Sequence, residues 1–191
     1  IGHSLVWYSI LEPLNGHTPD HMGFVRAAVD FRCCRFVTYP KGDFAYTVVR
    51  QYLFDEAEQV RLEAFRECSY VPIRDAAGKI LQEEAYHLLH SKGLLERLGS
   101  ATIESSTRMQ AAVGAAFPQA LGMFELLGSE EDLIRSGVFP GNKELQRQWL
   151  QRVLPVLRGV DLSVPVNGNG DPTCASELGG RRGLHLSYLA Q

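Results

Sequence analysis

The sequence predicts an all-α protein, an antiparallel helix bundle, and three observations carry that expectation. Residues 44–67, 72–98 and 105–128 form long stretches in which apolar side chains recur every three or four positions, the period of one helix face. No segment alternates apolar and polar residues over the length of a strand. The stretches are separated by cap and turn residues.

Taken in order, residues 3–15 read as a short apolar helix closed by Asn15-Gly16 and Pro19. Asp20 to Asp30 reads as a second short helix. Tyr39-Pro40-Lys41-Gly42-Asp43 is turn chemistry, with Asp43 as N-cap of the first long helix, 44–67. Pro72 suits the first turn of the second long helix, which runs to Leu98 and stops at Gly99. The third starts near Ser105 and ends at Gly128, with a kink expected at Pro118. Glu130 to Ser136 is short, and Phe139-Pro140-Gly141-Asn142 is a turn. Lys143 to Gly159 is the last helix, disturbed by Pro155. Residues 160–182, rich in Gly, Pro, Asn and Ser, read as an irregular excursion. Residues 1–191 are read as a single domain.

Composition narrows the function classes. The 191 residues are 45% hydrophobic and 21% charged, with a formal net charge of -3. That balance argues against a sequence-independent nucleic-acid binder and against a polybasic membrane-surface protein. No run of about 18 apolar residues is present, so no transmembrane helix is expected. The apolar run Leu5–Leu11 lacks the charged segment of a signal peptide. Cys33, Cys34, Cys68 and Cys174 show neither zinc spacing nor a pairing pattern, and read as small hydrophobes of a cytoplasmic protein.

Polar residues interrupt the core stripes. In the second long helix Ile73, Ala77, Ile80, Glu84, His87, Ser91, Leu94 and Leu98 share one face. In the first, Val48, Tyr52, Asp55, Gln59 and Leu62 do, with Glu58 beside Asp55. A buried charge must be paired, neutralised or bound to metal. Glu84-Ala85-Tyr86-His87 has the Glu-x-x-His spacing of ferritin-like di-iron bundles, which use four carboxylates and two imidazoles. The second motif here reads Asp55-Glu56-Ala57-Glu58, with an acid where histidine belongs. The third helix offers Met109, Val113, Ala116, Ala120, Met123 and Leu127 on its stripe, with no acid among them. Glu12 and His3 are the remaining candidates. The expectation is a hydrogen-bonded Glu84/His87/Asp55 cluster facing the bundle interior without iron. His3, His17, His21, His87, His90 and His185 are too scattered for zinc or a triad. No nucleophile elbow, Walker loop or dinucleotide fingerprint occurs. Arg181-Arg182 reads as a solvated loop or an anion contact.

Two helices carry wider apolar surfaces than a single inward face needs. Residues 44–67 show Val48/Tyr52/Leu62 and also Val49/Leu53/Val60, with Phe54 and Phe65. Residues 143–159 show Leu145, Trp149, Leu150, Val153 and Leu154. Such faces are covered by the chain itself or left for another subunit.

Three blocks are more specific: Gly42-Asp43-Phe44-Ala45 leading into Arg50-Gln51-Tyr52; Tyr86-His87 followed by Ser91, Gly93 and Leu95-Glu96-Arg97-Leu98-Gly99; and Gly179-Gly180-Arg181-Arg182-Gly183-Leu184-His185. Their order and spacing resemble the PaaC family, the non-catalytic structural subunit of bacterial phenylacetyl-CoA 1,2-epoxidase. The resemblance implies a ferritin-like fold and a scaffold role beside a partner that holds the di-iron site, with electrons from NADPH through a reductase. It implies no cofactor or metal in this chain, with Glu84, His87, Asp55 and Glu58 as degenerate di-iron positions. Partners would be the catalytic subunit and a second copy of the chain, not nucleic acid or membrane. The rival readings are a di-iron oxidase using those four residues and a plain helical interaction module.

The chain departs from that family pattern in places. Where the family has a long helix, Pro19 runs directly into Asp20, so a physical break is expected there. Arg26-Ala27-Ala28 replaces Arg-Asp-Glu, and Gln191 falls before the family's final helix is complete.

Overall fold

A computed structural model of the chain describes residues 2–27, 30–31 and 34–172. Six α-helices form it: α1 (Gly2–Asn15), α2 (Phe44–Phe65), α3 (Val71–Ala101), α4 (Ile103–Ala120), α5 (Glu130–Arg135) and α6 (Asn142–Gly159). The all-α class holds; among the described residues the only β pairing is one isolated bridge, Val166 to Pro172. The Arg181–Arg182 block, His185, Cys33 and Cys174 lie outside the described residues.

The boundaries follow local chemistry. Asp43 caps α2 by accepting from the Tyr46 amide at 2.9 Å. Pro72 sits in the first turn of α3. That helix does not stop at Gly99 but runs to Ala101, because Gly99 is needed inside it. A Cβ there would stand 3.0 Å from Val160 Cγ2, so glycine lets the segment after α6 approach. What ends α3 is Thr102, which also starts α4: its hydroxyl accepts from the Ser105 amide, and Ser105 Oγ accepts from the Thr102 amide, both at 3.1 Å.

The third long helix is shorter than its pattern. Pro118 cannot donate to the carbonyl four residues back, and the α-helix gives way after Ala120 to a 3₁₀ turn, Leu121–Phe124. The expected helix 20–30 contracts to a π-helical turn, His21–Val25. Across the Pro19–Asp20 junction the Met22 amide donates to the Thr18 carbonyl at 3.0 Å. The chain passes directly from α1 through this turn, with no further helix between them.

α2 and α3 run antiparallel, with Asp55 opposite Ser91 and Leu62 packed on Ala77 and Ile80. α2 is the central rod. Val48, Val49, Tyr52, Leu53, Val60 and Leu62 are all buried, so both of its apolar faces are covered by this chain. The same holds for Leu145, Trp149 and Val153 of α6, while Leu150 and Leu154 are partly buried. Of the two outcomes expected for these faces, it is the chain itself that covers most of them.

Trp149 anchors α6. Its ring packs on Phe117 and Phe124 at 5.3 Å between centroids, and Nε1–H donates to the Leu53 carbonyl at 3.0 Å. At the other end Glu130 is a buried clamp. Its carboxylate accepts from the Leu127 amide, the Asn142 amide and Asn142 Nδ2, which fixes the turn into α6. Gly141, at φ 95°, makes that turn possible, since a Cβ would lie 2.9 Å from Ile134 Cδ1.

Replacing Trp149 with Ala removes two ring contacts and strands the bundle's centre. We expect a loss of about 3–5 kcal/mol, read by chemical denaturation, with Phe117→Leu costing much less.

Candidate functional site

The candidate cluster assembles on the open side of α2 and α3, but not as an inward metal cage. Asp55 is 2% exposed. Its Oδ1 accepts from Gln51 Nε2 at 2.5 Å and its Oδ2 from Ser91 Oγ at 2.7 Å. Burial pushes its carboxyl above the usual carboxylate range, against the pull of those two donors.

Glu84, about two turns before Ser91 on α3, is shared by two imidazoles: His3 Nδ1 at 3.0 Å from Oε1 and His87 Nδ1 at 3.1 Å from Oε2. His3 Nε2 also meets Glu83 at 3.0 Å. The hydrogen bond to Glu84, and its charge, raise His87 above the ordinary histidine value. His87 itself faces out, its side chain 60% exposed. The expectation that it faces the interior fails because no helix of the described chain covers this part of α3. Glu58 does not join the cluster; it pairs with Arg61 of its own helix. Glu12 lies nine residues along α1 from His3, about 13 Å away at helical rise.

The donor set does not fit a di-iron centre. Each carboxylate of the four expected positions is already engaged by a neighbouring side chain, and His87 points Nδ1 at a carboxylate. Among the described residues no three His, Cys, Asp or Glu side chains gather where one ion could be held. His17 and His21 stack face to face at 4.6 Å, as rings rather than chelators. Cys68 is a free thiol buried as a small hydrophobe, and Cys34 is partly buried.

The acid that the stripe analysis missed is Glu56. It is 5% exposed, and its Oε2 and the Tyr52 hydroxyl lack a hydrogen bond of good geometry. Burial raises the Glu56 carboxyl, while Arg152, Lys92 and the nearby Tyr52 hydroxyl favour its charge. Burial and the Glu56 charge together push the Tyr52 phenol well above its usual value. Glu56 was findable: 49, 53, 56 and 60 share helical spacing, so it belongs to the second apolar face of α2. Its neighbour Glu63 is satisfied by Arg152 and Gln59, which hold it below the usual range despite partial burial.

Between Phe44 and Asp55 on α2, and opposite Leu94, Ser91 and His87 on α3, runs an open groove of about 450 Å³. Asp55 forms part of its floor, and Phe44, 63% exposed, stands at one end.

The profile of the family described as phenylacetic acid catabolic protein matches residues 1–191. Over 170 residues the chain is 28% identical to a protein of Escherichia coli strain K12 described as one of the subunits of 1,2-phenylacetyl-CoA epoxidase. The aligned part covers 89% of this chain and 66% of that protein, so the chain spans a little less than two thirds of the relative's length.

Two outcomes follow from the polar geometry. Glu56 is raised in the folded state, so its ionisation opposes folding. Its contribution is best below the unfolded carboxylate pKa and is lost as pH rises through the folded one. Glu56→Gln should therefore raise Tm at pH 7 by about 2–4 °C, for roughly 1 kcal/mol in a chain of this size, and the gain should shrink below pH ~4. Thermal scans at both pH values check it. α1 has no fully buried residue and is pinned to α3 by His3 and Trp7. His3→Ala should lower α1 amide protection up to about fivefold, the span of an exposed ion pair, with a red shift of Trp7 emission and α4 protection unchanged.

Proposed function

The chain belongs to the phenylacetic acid catabolic protein family, and from that premise we propose that it is a subunit of a phenylacetyl-CoA epoxidase that scaffolds a separate catalytic subunit. In this reading the partner holds a di-iron centre and epoxidises the aromatic ring of phenylacetyl-CoA with dioxygen. Electrons come from NADPH through a reductase, and the assembly works in the cytoplasm. The partner of first choice is the di-iron subunit, ahead of a second copy of this chain.

The observation that carries the scaffold role is the donor set on α2 and α3. A di-iron bundle needs inward carboxylates and imidazoles with free lone pairs. Here Glu84 is held on both oxygens by His3 and His87, Glu58 by Arg61, and Asp55 by Gln51 and Ser91. The Escherichia coli relative is described as one subunit of an epoxidase, which supports an assembly of several chains. The competing di-iron oxidase would need Glu58 and His87 to turn inward. No described helix of the chain is long and apolar enough to cross a membrane.

The test is co-expression with the di-iron subunit, followed by affinity capture and an NADPH-oxidation assay with phenylacetyl-CoA. We expect co-elution, iron in the partner alone, and turnover by the partner at least tenfold slower without this chain. Stoichiometric iron in this chain purified alone, or equal turnover by the partner without it, refutes the scaffold role.

A further inference from the structure

We propose that Asn167 is a site of spontaneous covalent modification: the Gly168 amide nitrogen closes on the Asn167 side chain, ammonia is lost, and the loop after α6 passes into aspartyl and isoaspartyl forms. This goes beyond the subunit reading and does not depend on it.

Three of the four asparagines in the chain are followed by glycine: Asn15, Asn167 and Asn169. A following glycine leaves the backbone nitrogen open to the side-chain carbonyl, because no Cβ screens it and the backbone turns freely. By sequence the three pairs are equivalent, and the fold separates them. In two of them the attacking nitrogen is already committed. Gly16 N–H donates to the Glu12 carbonyl at 2.8 Å, where α1 ends, and Gly170 N–H donates to the Asn167 carbonyl at 3.0 Å. A nitrogen whose proton is held by a carbonyl must break that bond before it can lose the proton and attack. Gly168 N–H makes no such bond among the described residues. The fourth asparagine, Asn142, is buried, precedes Lys143, and is tied through Nδ2 to the Glu125 carbonyl and to Glu130.

The electrophile is prepared as well. Asn167 Oδ1 accepts from the Asn169 amide at 2.9 Å and from the Asp171 amide at 3.0 Å. Two N–H donors on one carbonyl oxygen draw charge from its carbon, and they stabilise the oxyanion that forms as that carbon becomes tetrahedral. The bond to the amide two residues on also holds the side chain over the intervening peptide, as an Asx-turn does. Asn15 Oδ1 has one such donor, the His17 amide at 2.9 Å, and its Nδ2 is engaged by Met22 Sδ at 3.4 Å. Asn167, Gly168 and Asn169 are all exposed, so water reaches the intermediate.

Water is the one co-reactant. Gly168 N forms a bond to Asn167 Cγ, the Cγ–Nδ2 bond breaks, and Nδ2 leaves as ammonia with the proton from Gly168. Water then opens the succinimide ring at either carbonyl. Attack at Cγ returns the ordinary backbone with a carboxylate side chain. Attack at the Asn167 backbone carbonyl carbon leaves the chain running through Cγ, one atom longer. Either product carries one more negative charge than the parent. The longer backbone disturbs the turn, because Gly170 N–H ends on the Asn167 carbonyl and Asn167 N–H ends on the Asp171 carbonyl at 2.8 Å.

The test incubates the purified chain at mildly alkaline pH, folded and in urea. Samples are followed by peptide mapping with mass spectrometry and by isoaspartyl methyltransferase labelling. In the folded chain Asn167 should convert first, roughly fivefold to tenfold faster than Asn15 or Asn169, the factor that one hydrogen bond supplies. In urea the three rates should draw together. Gly168→Ala should suppress conversion at position 167 with the turn kept, since a Cβ there meets nothing within 4 Å. Conversion of Asn15 or Asn169 as fast as Asn167 in the folded chain overturns the proposal. So does slower conversion of Asn167 in the folded chain than in urea, which would show that the two amides lock the side chain instead of activating it.

Discussion

α2 is enclosed by α3, α4 and α6, and most of what is distinctive here follows from that enclosure. α2 leaves Phe44 and Gln51 to water on one side, but Asp55, Glu56 and Tyr52 are buried and must each find an answer inside the protein. Asp55 finds two neutral donors, Glu63 finds Arg152, and the Trp149 indole borrows the Leu53 carbonyl that α2 already uses. Glu56 and Tyr52 find the least, and their titration is displaced accordingly. The acids thus divide between the α6 side, where Arg152 meets Glu63, and the α3 side, where Asp55 meets neutral donors.

That division separates the closed half of the molecule from the open half. Toward α6, the Trp149 cluster and the Glu130–Asn142 clamp leave little to add. Toward the outer face of α3, the cluster of Asp55, Glu84, His3 and His87 is built from two helices and the end of a third, and it stops there. About a third of the Escherichia coli relative has no counterpart in the alignment.

Much of this was legible in the sequence, and the failures are instructive. Helix identity was readable because period, Asp43 and Pro72 agree locally. Helix ends were misread where a distant partner decides them: Gly99 looks like a stop signal, but Val160, far along the chain, is what it accommodates. The stripe containing Asp55 was readable from spacing. The outward turn of His87 was not, because periodicity places a residue on a face and says nothing of whether another helix covers it. Glu56 escaped for the opposite reason, as an acid on a second stripe that only matters once α2 is known to be surrounded. The Glu130–Asn142 clamp had no sequence signal beyond a turn, since it links residues whose meeting is set by tertiary packing.

The joint at Thr102 limits how this molecule can vary through time. One residue serves as the end of α3 and the start of α4, with both hydrogen-bonding duties held by Thr102 and Ser105. A single inserted residue inside α4 would rotate everything beyond it by about 100° and carry Met109, Val113 and Phe117 off the core. One inserted in the joint would dissolve the reciprocal cap. The Pro19–Asp20 junction has no such coupling: it lies between a lightly seated first helix and a short π turn, and the core does not depend on the length of chain between them. Descendants of this fold should therefore collect their insertions and losses ahead of α2, while the α3–α4 corner keeps its length to the residue.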